Sequence, residues 1–237
     1  MTVSPVLRDG LHPIVSDYAP GIEAETWFTK SFEAGGGKIV GGVRTPLSAM
    51  EYSPFLQRAI EAKPDAVFAF NPGGDVSVAF MKGTKERGLA KACIKLLVTG
   101  DVVDDNPPPA MGDAVSGVIS ALHYQIGLEN EANVAFLKGF REIFGTDAVP
   151  SYRVVQGYDG MALIYHALAK TGGKTDTDSI MAAIKGSKIE SPRGPFMIDP
   201  ATRDIVENIY IRRGEQQDGK WANAAYETIP AVKDPAK

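Results

Sequence analysis

The chain has 237 residues, 44% hydrophobic and 23% charged, with a formal net charge of −4 and a single cysteine. That is enough chain to bury a sizeable core without disulfides or metals, and the composition excludes disordered, collagenous and coiled-coil classes. An acidic balance without a basic run argues against nucleic acid or an anionic membrane surface as main partner, while Cys93 alone forms no internal disulfide and leaves the redox compartment open.

No stretch approaches the roughly 20 apolar residues of a membrane span, and the opening residues lack the basic-then-apolar pattern of a signal peptide. From Leu11 to Asp101 short apolar runs alternate with helical patterns. His12–Ser16 reads as a first strand, Asp17–Gly21 as a turn, and Ala24, Phe28 and Phe32 as the apolar face of a helix stopped by Gly35-Gly36-Gly37. Lys38–Arg44 reads as a second strand. The next helix carries Phe55, Leu56, Ala59 and Ile60 and ends before Pro64. Ala66–Phe70 is a continuous apolar strand, as expected of a parallel sheet covered on both faces. It breaks at Asn71-Pro72-Gly73-Gly74. A helix with Val76, Ala79 and Phe80 follows, then a fourth strand at Ile94–Val98 ending in Thr99-Gly100-Asp101. This alternation predicts a doubly wound α/β sheet.

After Asp101 the pattern changes. Asp104–Pro109 reads as a loop and Gly117–Tyr124 as a strand. Three helices follow, over Asn130–Phe144, Ser151–Lys170 and Thr177–Lys185. Their apolar stripes are Val134, Leu137, Phe140 and Phe144; Val154, Tyr158, Met161, Tyr165 and Leu168; and Ile180, Met181 and Ile184, with Thr177 as an N-cap. Ser191–Asp204 reads as a β-turn segment, Asn208–Arg212 as a strand, and the residues from Glu215 as a polar tail. Three amphipathic helices need a surface to cover, and one strand with a β-turn is too little sheet for them.

Catalytic constellations are scarce. His12, His123 and His166 show no helical zinc spacing, so no metal site is expected. Gly173-Lys174-Thr175 and Gly35-Gly36-Gly37-Lys38 both fail the phosphate-loop spacing, and no cofactor motif follows a strand. Open α/β sheets place ligands at the carboxyl ends of their strands. Three loops gather there: Asp17–Gly21, Asn71–Gly74 and Thr99–Asp104. Turn chemistry accounts for many of their residues. Asp17 suits a turn or cap, Tyr18 suits rim packing or a ligand wall, and Asp101 could project above the sheet.

The order of DYAPG (Asp17–Gly21), FEAGGGKIVG (Phe32–Gly41), PDAVFAF (Pro64–Phe70), ERGLA (Glu86–Ala90), GYDGMALIYHAL (Gly157–Leu168) and SPRGPFMIDPATRD (Ser191–Asp204) resembles the leucine-binding, type I periplasmic substrate-binding proteins of branched-chain amino acid-type ABC transporters. The resemblance runs from about Leu11 to Gly214 and begins partway into the family pattern. It therefore implies an N-terminally truncated chain, lacking a leader and most of the sheet of the first lobe. It implies a type I periplasmic-binding-protein-like α/β fold of two lobes that close on a small solute. Residues 11–122 would form the second lobe, 123–205 helices of the first, and 206–237 the return and tail. Its ligand-binding residues would be Tyr18, Ala19, Pro20, Asn71, Pro72, Gly73, Gly100 and Asp101, with Asp101 as the partner of a ligand cation or hydroxyl; His123, Tyr124 and Asn208 would lie at the hinge.

The family usually has an aromatic just before the glycine of the first loop, where this chain has Pro20, and often another after the third strand, where it has Asn71-Pro72-Gly73. The loss of both aromatics argues against ordinary leucine/valine specificity and leaves an amide, urea or aromatic acid open as the ligand, beside another amino acid or organic acid. The resemblance further implies a periplasmic, non-enzymatic protein without cofactor, whose partners are a small-molecule solute and an ABC permease, not nucleic acid. An α/β enzyme using cleft carboxylates, or a ligand-sensing domain of a receptor or repressor, would share the fold.

Overall fold

The computed structural model describes residues 10–105, 109–217 and 219–235. The chain divides into two compact units. One runs through Ala121 and takes in Arg213–Asn223; the other comprises Leu122–Arg212 and the residues from Ala224.

In the first unit β1 (Leu11–Ser16), α1 (Ala19–Ala34), β2 (Val43–Thr45), α2 (Ser53–Glu61), β3 (Ala66–Phe70), α3 (Gly74–Glu86), β4 (Lys95–Thr99) and β5 (Ile119–Leu122) follow in sequence, with a 3-10 segment at Pro109–Val115 before β5. The five strands are parallel in the order β2-β1-β3-β4-β5. Successive side chains of a strand point to opposite faces, and both faces here are covered. On one face Ile14, Val67, Ala69 and Val98 pack against Leu56 and Ala59 of α2 and Phe80 and Met81 of α3. On the other, Leu11, Val15 and Phe68 meet Phe28 and Phe32 of α1, and the Phe28 and Phe68 rings stack at 3.9 Å. Ala66–Phe70 is a strand over the residues its apolar run predicts.

Other boundaries differ from expectation. α1 starts inside the expected turn, at Ala19, because Pro20 suits the first turn of a helix, where an N–H is not needed. The second strand is only Val43–Thr45; Ile39 makes an isolated bridge to Leu11, and Gly41-Gly42 interrupt the run. β4 is shifted one residue later than expected, and β5 is confined to Ile119–Leu122. Residues 106–108 of the expected Asp104–Pro109 loop lie outside the described residues.

The second unit contains α4 (Glu131–Phe144), α5 (Tyr152–Thr171), α6 (Thr177–Ile184), β6 (Lys188–Ile189), β7 (Phe196–Ile198) and parts of β8 (Ile205–Gln217) and β9 (Lys220–Val232). β6, β7 and β8 pair antiparallel, and β9 pairs with β8. The expected polar tail is therefore a 13-residue strand. Asn223 is its one buried residue, and backbone pairing to β8 requires no apolar run. The segment expected as a return and tail divides: residues 213–223 belong to the first unit and the rest to the second.

Helix caps are local. Asn130 Oδ1 accepts from Asn133 N at 2.9 Å, and Asp176 Oδ1 from Ser179 N at 2.9 Å. Asp176, not the expected Thr177, is thus the N-cap of α6. The apolar stripe expected on α5 does not face the core. Tyr152, Val155, Asp159 and Ala167 are buried, while Val154, Tyr158, Met161 and Tyr165 are exposed. No helix among the described residues is long and apolar enough to cross a membrane.

Candidate functional site

The parallel sheet brings the loops after β1, β3 and β4 side by side at its carboxyl edge, because those strands are adjacent. The helix after β1 covers one face and those after β2 and β3 the other, so the boundary between β1 and β3 is a topological switch point, where such sheets open a crevice. Carried one residue past the pairing of Val15 with Phe70, the register sets Ser16 level with Asn71. Carried two past Ala69 with Val98, it sets Asn71 level with Gly100.

After β1 the chain turns sharply. Asp17 N–H donates to Thr45 O at 2.8 Å, Tyr18 N–H to Ser16 O at 2.9 Å, and Ile22 N–H to Tyr18 O at 3.0 Å. A Cβ on Gly21 would lie 2.0 Å from Ser16 O, so only glycine lets the helix start this close to the strand end. The turn leaves Asp17, Ala19 and Pro20 exposed and directs the half-buried Tyr18 ring toward Phe70, 6.0 Å away at 34°.

After β3, Asn71 is 2% exposed. Its Oδ1 accepts from Gly73 N–H at 3.4 Å and from the Ser77 hydroxyl of α3. Gly73 has φ 83 and ψ −172, a conformation open essentially to glycine alone, and this lets Asn-Pro-Gly fold back onto the strand end. Pro72 and Gly73 are half-buried. After β4, Gly100 N–H donates to Ala121 O at 2.9 Å and Val102 N–H to Thr99 O at 3.1 Å, which holds Gly100 buried and Asp101 half-buried at the edge. Ser16 Oγ and Thr99 Oγ1, at the ends of the two strands that flank β3, are sealed without a hydrogen-bond partner. No group of three His, Cys, Asp or Glu among the described residues could hold a metal ion.

A family model described as periplasmic binding protein matches residues 14–220. The chain belongs to the periplasmic binding protein family. Leu/Ile/Val-binding protein homolog 6 of Brucella melitensis is 37% identical over 223 residues, covering 94% of this chain and 57% of the relative. Among solved structures, the solute binding protein of an ABC transporter from Rhodopseudomonas palustris BisB5, in complex with 3,4-dihydroxy benzoic acid, is 46% identical with a TM-score of 0.88, covering 97% of this chain and 62% of that one. The solute binding protein from Rhodopseudomonas palustris HaA2, in complex with p-hydroxybenzoic acid, is 41% identical with a TM-score of 0.90, covering 96% and 62%. The chain thus spans about three fifths of the length of these relatives. The α/β fold of type I periplasmic binding proteins and the leucine-binding-type relationship, both expected from the sequence, hold.

In this periplasmic binding protein the residues expected at a hinge all belong to the second unit. Tyr124 is fully buried; its hydroxyl donates to Asn133 Oδ1 at 3.0 Å, and its carbonyl accepts from Arg212 at 3.5 Å. His123 stacks edge-on to Tyr152 with Nε2 sealed and unpartnered. Burial first, then the charges of Arg193 and Arg212, pushes its pKa down to about 3. Asn208 Oδ1 accepts from Ala231 N–H at 3.2 Å and ties β8 to β9.

Two features of the binding protein escaped the sequence reading. Phe70 packs against the α1-side core, as its place in the apolar run implies, and its ring also faces Tyr18; its position as the last residue of that run, directly before Asn-Pro-Gly, is the signal for this second contact. The second is a buried ion cluster. Arg193 Nε lies 2.6 Å from Asp159 Oδ2 and a terminal guanidinium nitrogen 2.6 Å from Glu207 Oε2. Burial pushes both carboxyl pKa values up, and the Arg193 charge opposes this.

Proposed function

We propose that this protein is the solute-binding component of an ABC importer and that the carboxyl edge of its β1-β3-β4 sheet takes an aromatic organic acid. The observation that carries this reading is the Tyr18–Phe70 ring pair at the ends of β1 and β3, with Pro20 and Pro72 two residues further along each loop. Such a wall favours a flat ring. The two relatives from Rhodopseudomonas palustris, at 46% and 41% identity, were crystallised with hydroxylated benzoic acids, which supports the same solute class here. Tyr18, Ala19, Pro20, Asn71, Pro72, Gly73, Gly100 and Asp101 would form the wall contributed by this unit. The protein would work outside the cytoplasm, deliver its solute to a permease, and perform no chemistry on it. His123, Tyr124 and Asn208 would act where the chain passes between units.

A second reading, an α-amino acid whose ammonium pairs with Asp101, draws on the half-buried carboxylate at the end of β4. Thermal unfolding of the gene product carrying these 237 residues separates the two. A ligand at a hundred times its dissociation constant adds about 2.7 kcal/mol of stability. 4-Hydroxybenzoate, 3,4-dihydroxybenzoate and benzoate should raise Tm and leucine should not. A shift with leucine alone selects the amino acid reading, and no shift with any of them overturns solute binding at this edge.

A further inference from the structure

The three edge loops carry no Lys or Arg. Residues 16–21 read Ser-Asp-Tyr-Ala-Pro-Gly, residues 71–74 Asn-Pro-Gly-Gly, and residues 99–104 Thr-Gly-Asp-Val-Val-Asp. A solute carboxylate needs a cation or several donors when it leaves water, and three carboxylates, Asp17, Asp101 and Asp104, stand in these loops instead. The end of an aromatic acid that turns toward these loops is therefore its neutral one.

Asn71 is equipped to read that end. Gly73 N–H can only donate, so the side-chain atom it meets is the amide oxygen, and the orientation of the amide follows from chemistry. The same oxygen takes the Ser77 hydroxyl proton. Ser77 departs here from two other helical hydroxyls of this unit. Thr26 donates to Ile22 O and Thr84 to Met81 O, each at 2.7 Å, back along their own helix. Ser77, itself 1% exposed, reaches out of α3 to hold a side chain of the preceding loop. With the oxygen taken twice, the amide offers only its N–H groups, and neither meets an acceptor among the described residues. They stand one residue beyond Phe70, whose ring faces Tyr18.

We infer that Asn71 selects solutes with a ring hydroxyl, donating an amide N–H to the hydroxyl oxygen, and that Ser77 is the positioning residue that holds the amide in that orientation. This rests on the aromatic-acid reading and goes further, assigning the orientation of the solute and the residue that discriminates among acids. Asn71 is a specificity-determining residue in this scheme, and Ser77 acts only through it.

The test is the ratio of dissociation constants for benzoate and 4-hydroxybenzoate, measured by titration calorimetry on the gene product carrying these 237 residues. The wild type should favour 4-hydroxybenzoate by about tenfold, the worth of one well-made hydrogen bond. Asn71→Ala should bring the ratio near one. Ser77→Ala should lower it severalfold, and should change nothing further in the Asn71→Ala background, whereas general loosening of α3 would weaken both solutes alike and leave the ratio unmoved. Asn71→Asp keeps an oxygen for Gly73 and Ser77, so the loop stays folded, but it replaces the donor with an acceptor. A ring hydroxyl can turn to donate to it, whereas a methoxy oxygen can only accept. The variant should therefore shift its preference from 4-methoxybenzoate toward 4-hydroxybenzoate relative to the wild type. An unchanged ratio in Asn71→Ala and an unchanged preference in Asn71→Asp overturn the inference and leave the aromatic-acid reading intact. A wild type that binds no aromatic acid overturns both.

Discussion

The first unit covers both faces of five parallel strands with helices and keeps its apolar residues inside. The second has three helices but strands of only two and three residues in β6 and β7, besides its shares of β8 and β9. Of the twelve exposed large apolar side chains among the described residues, nine lie between 134 and 165, on or near α4 and α5. Beside two small apolar clusters, around Tyr124 and around Phe196, the second unit buries Asn133, Asp159, Arg193 and Arg212. A sheet lets a helix bury one whole stripe, whereas helices with little sheet beneath them bury only the residues that meet each other. The first unit is held mainly by apolar packing, the second to a greater degree by paired charge.

The largest test of that contrast is Arg193→Ala. It leaves Asp159 and Glu207 buried without their cation, and removing one partner of a buried pair costs about 3–5 kcal/mol. Chemical denaturation monitored by hydrogen exchange should show the loss in the second unit only. The counterpart is Leu56→Ala, at a fully buried position of α2 against the sheet, where truncation costs about 2–5 kcal/mol. Exchange protection should fall in β1, β3 and α3, with the second unit unaffected. Equal effects of either variant on both units would erase the distinction.

Acid should act through the second unit. His123 has its folded pKa depressed from 6.5 to about 3, so it binds fewer protons folded than unfolded between those values. Its stabilising contribution is present above pH 6.5 and falls by about 1.4 kcal/mol per pH unit below it, until roughly pH 3. Asp159 and Glu207 oppose this, because raised folded pKa values make the folded state take up protons more readily than the unfolded chain as pH falls. The difference between wild type and His123→Asn, measured from pH 7 to 4, isolates the histidine. The wild type should lose stability faster, and parallel curves would remove His123 from the account. The smallest effect belongs to the exposed stripe. Tyr158→Ser with Met161→Lys should shift stability within about 0.5 kcal/mol per site yet lower self-association in sedimentation velocity. A stability loss of several kcal/mol would mean that the stripe is buried in solution.

Much of the first unit was legible in the sequence, because burial on both faces writes itself as an unbroken apolar run such as Ala66–Phe70 and helix ends announce themselves with glycine or proline. The three loops of the candidate site could be placed for the same reason, since they follow those runs. The faces of α5 were not legible. Val154, Tyr158, Met161 and Tyr165 form a better apolar stripe than Tyr152, Val155 and Asp159, and no local pattern announces that Asp159 is buried by an arginine 34 residues away. β9 was invisible because its stability comes from pairing with β8, not from its own residues.

By itself, the sequence determined the α/β class, the strand–helix order of the first unit and the set of loops at its carboxyl edge, all of which follow from periodicity and turn chemistry over a few residues. Only the tertiary structure decided that Phe70 turns to Tyr18, that Ser77 holds Asn71 by its oxygen, and that Arg193 joins Asp159 to Glu207. Each of these depends on which strand lies beside which and on where a helix is set against a loop, and hydrophobic spacing along one segment does not carry that information.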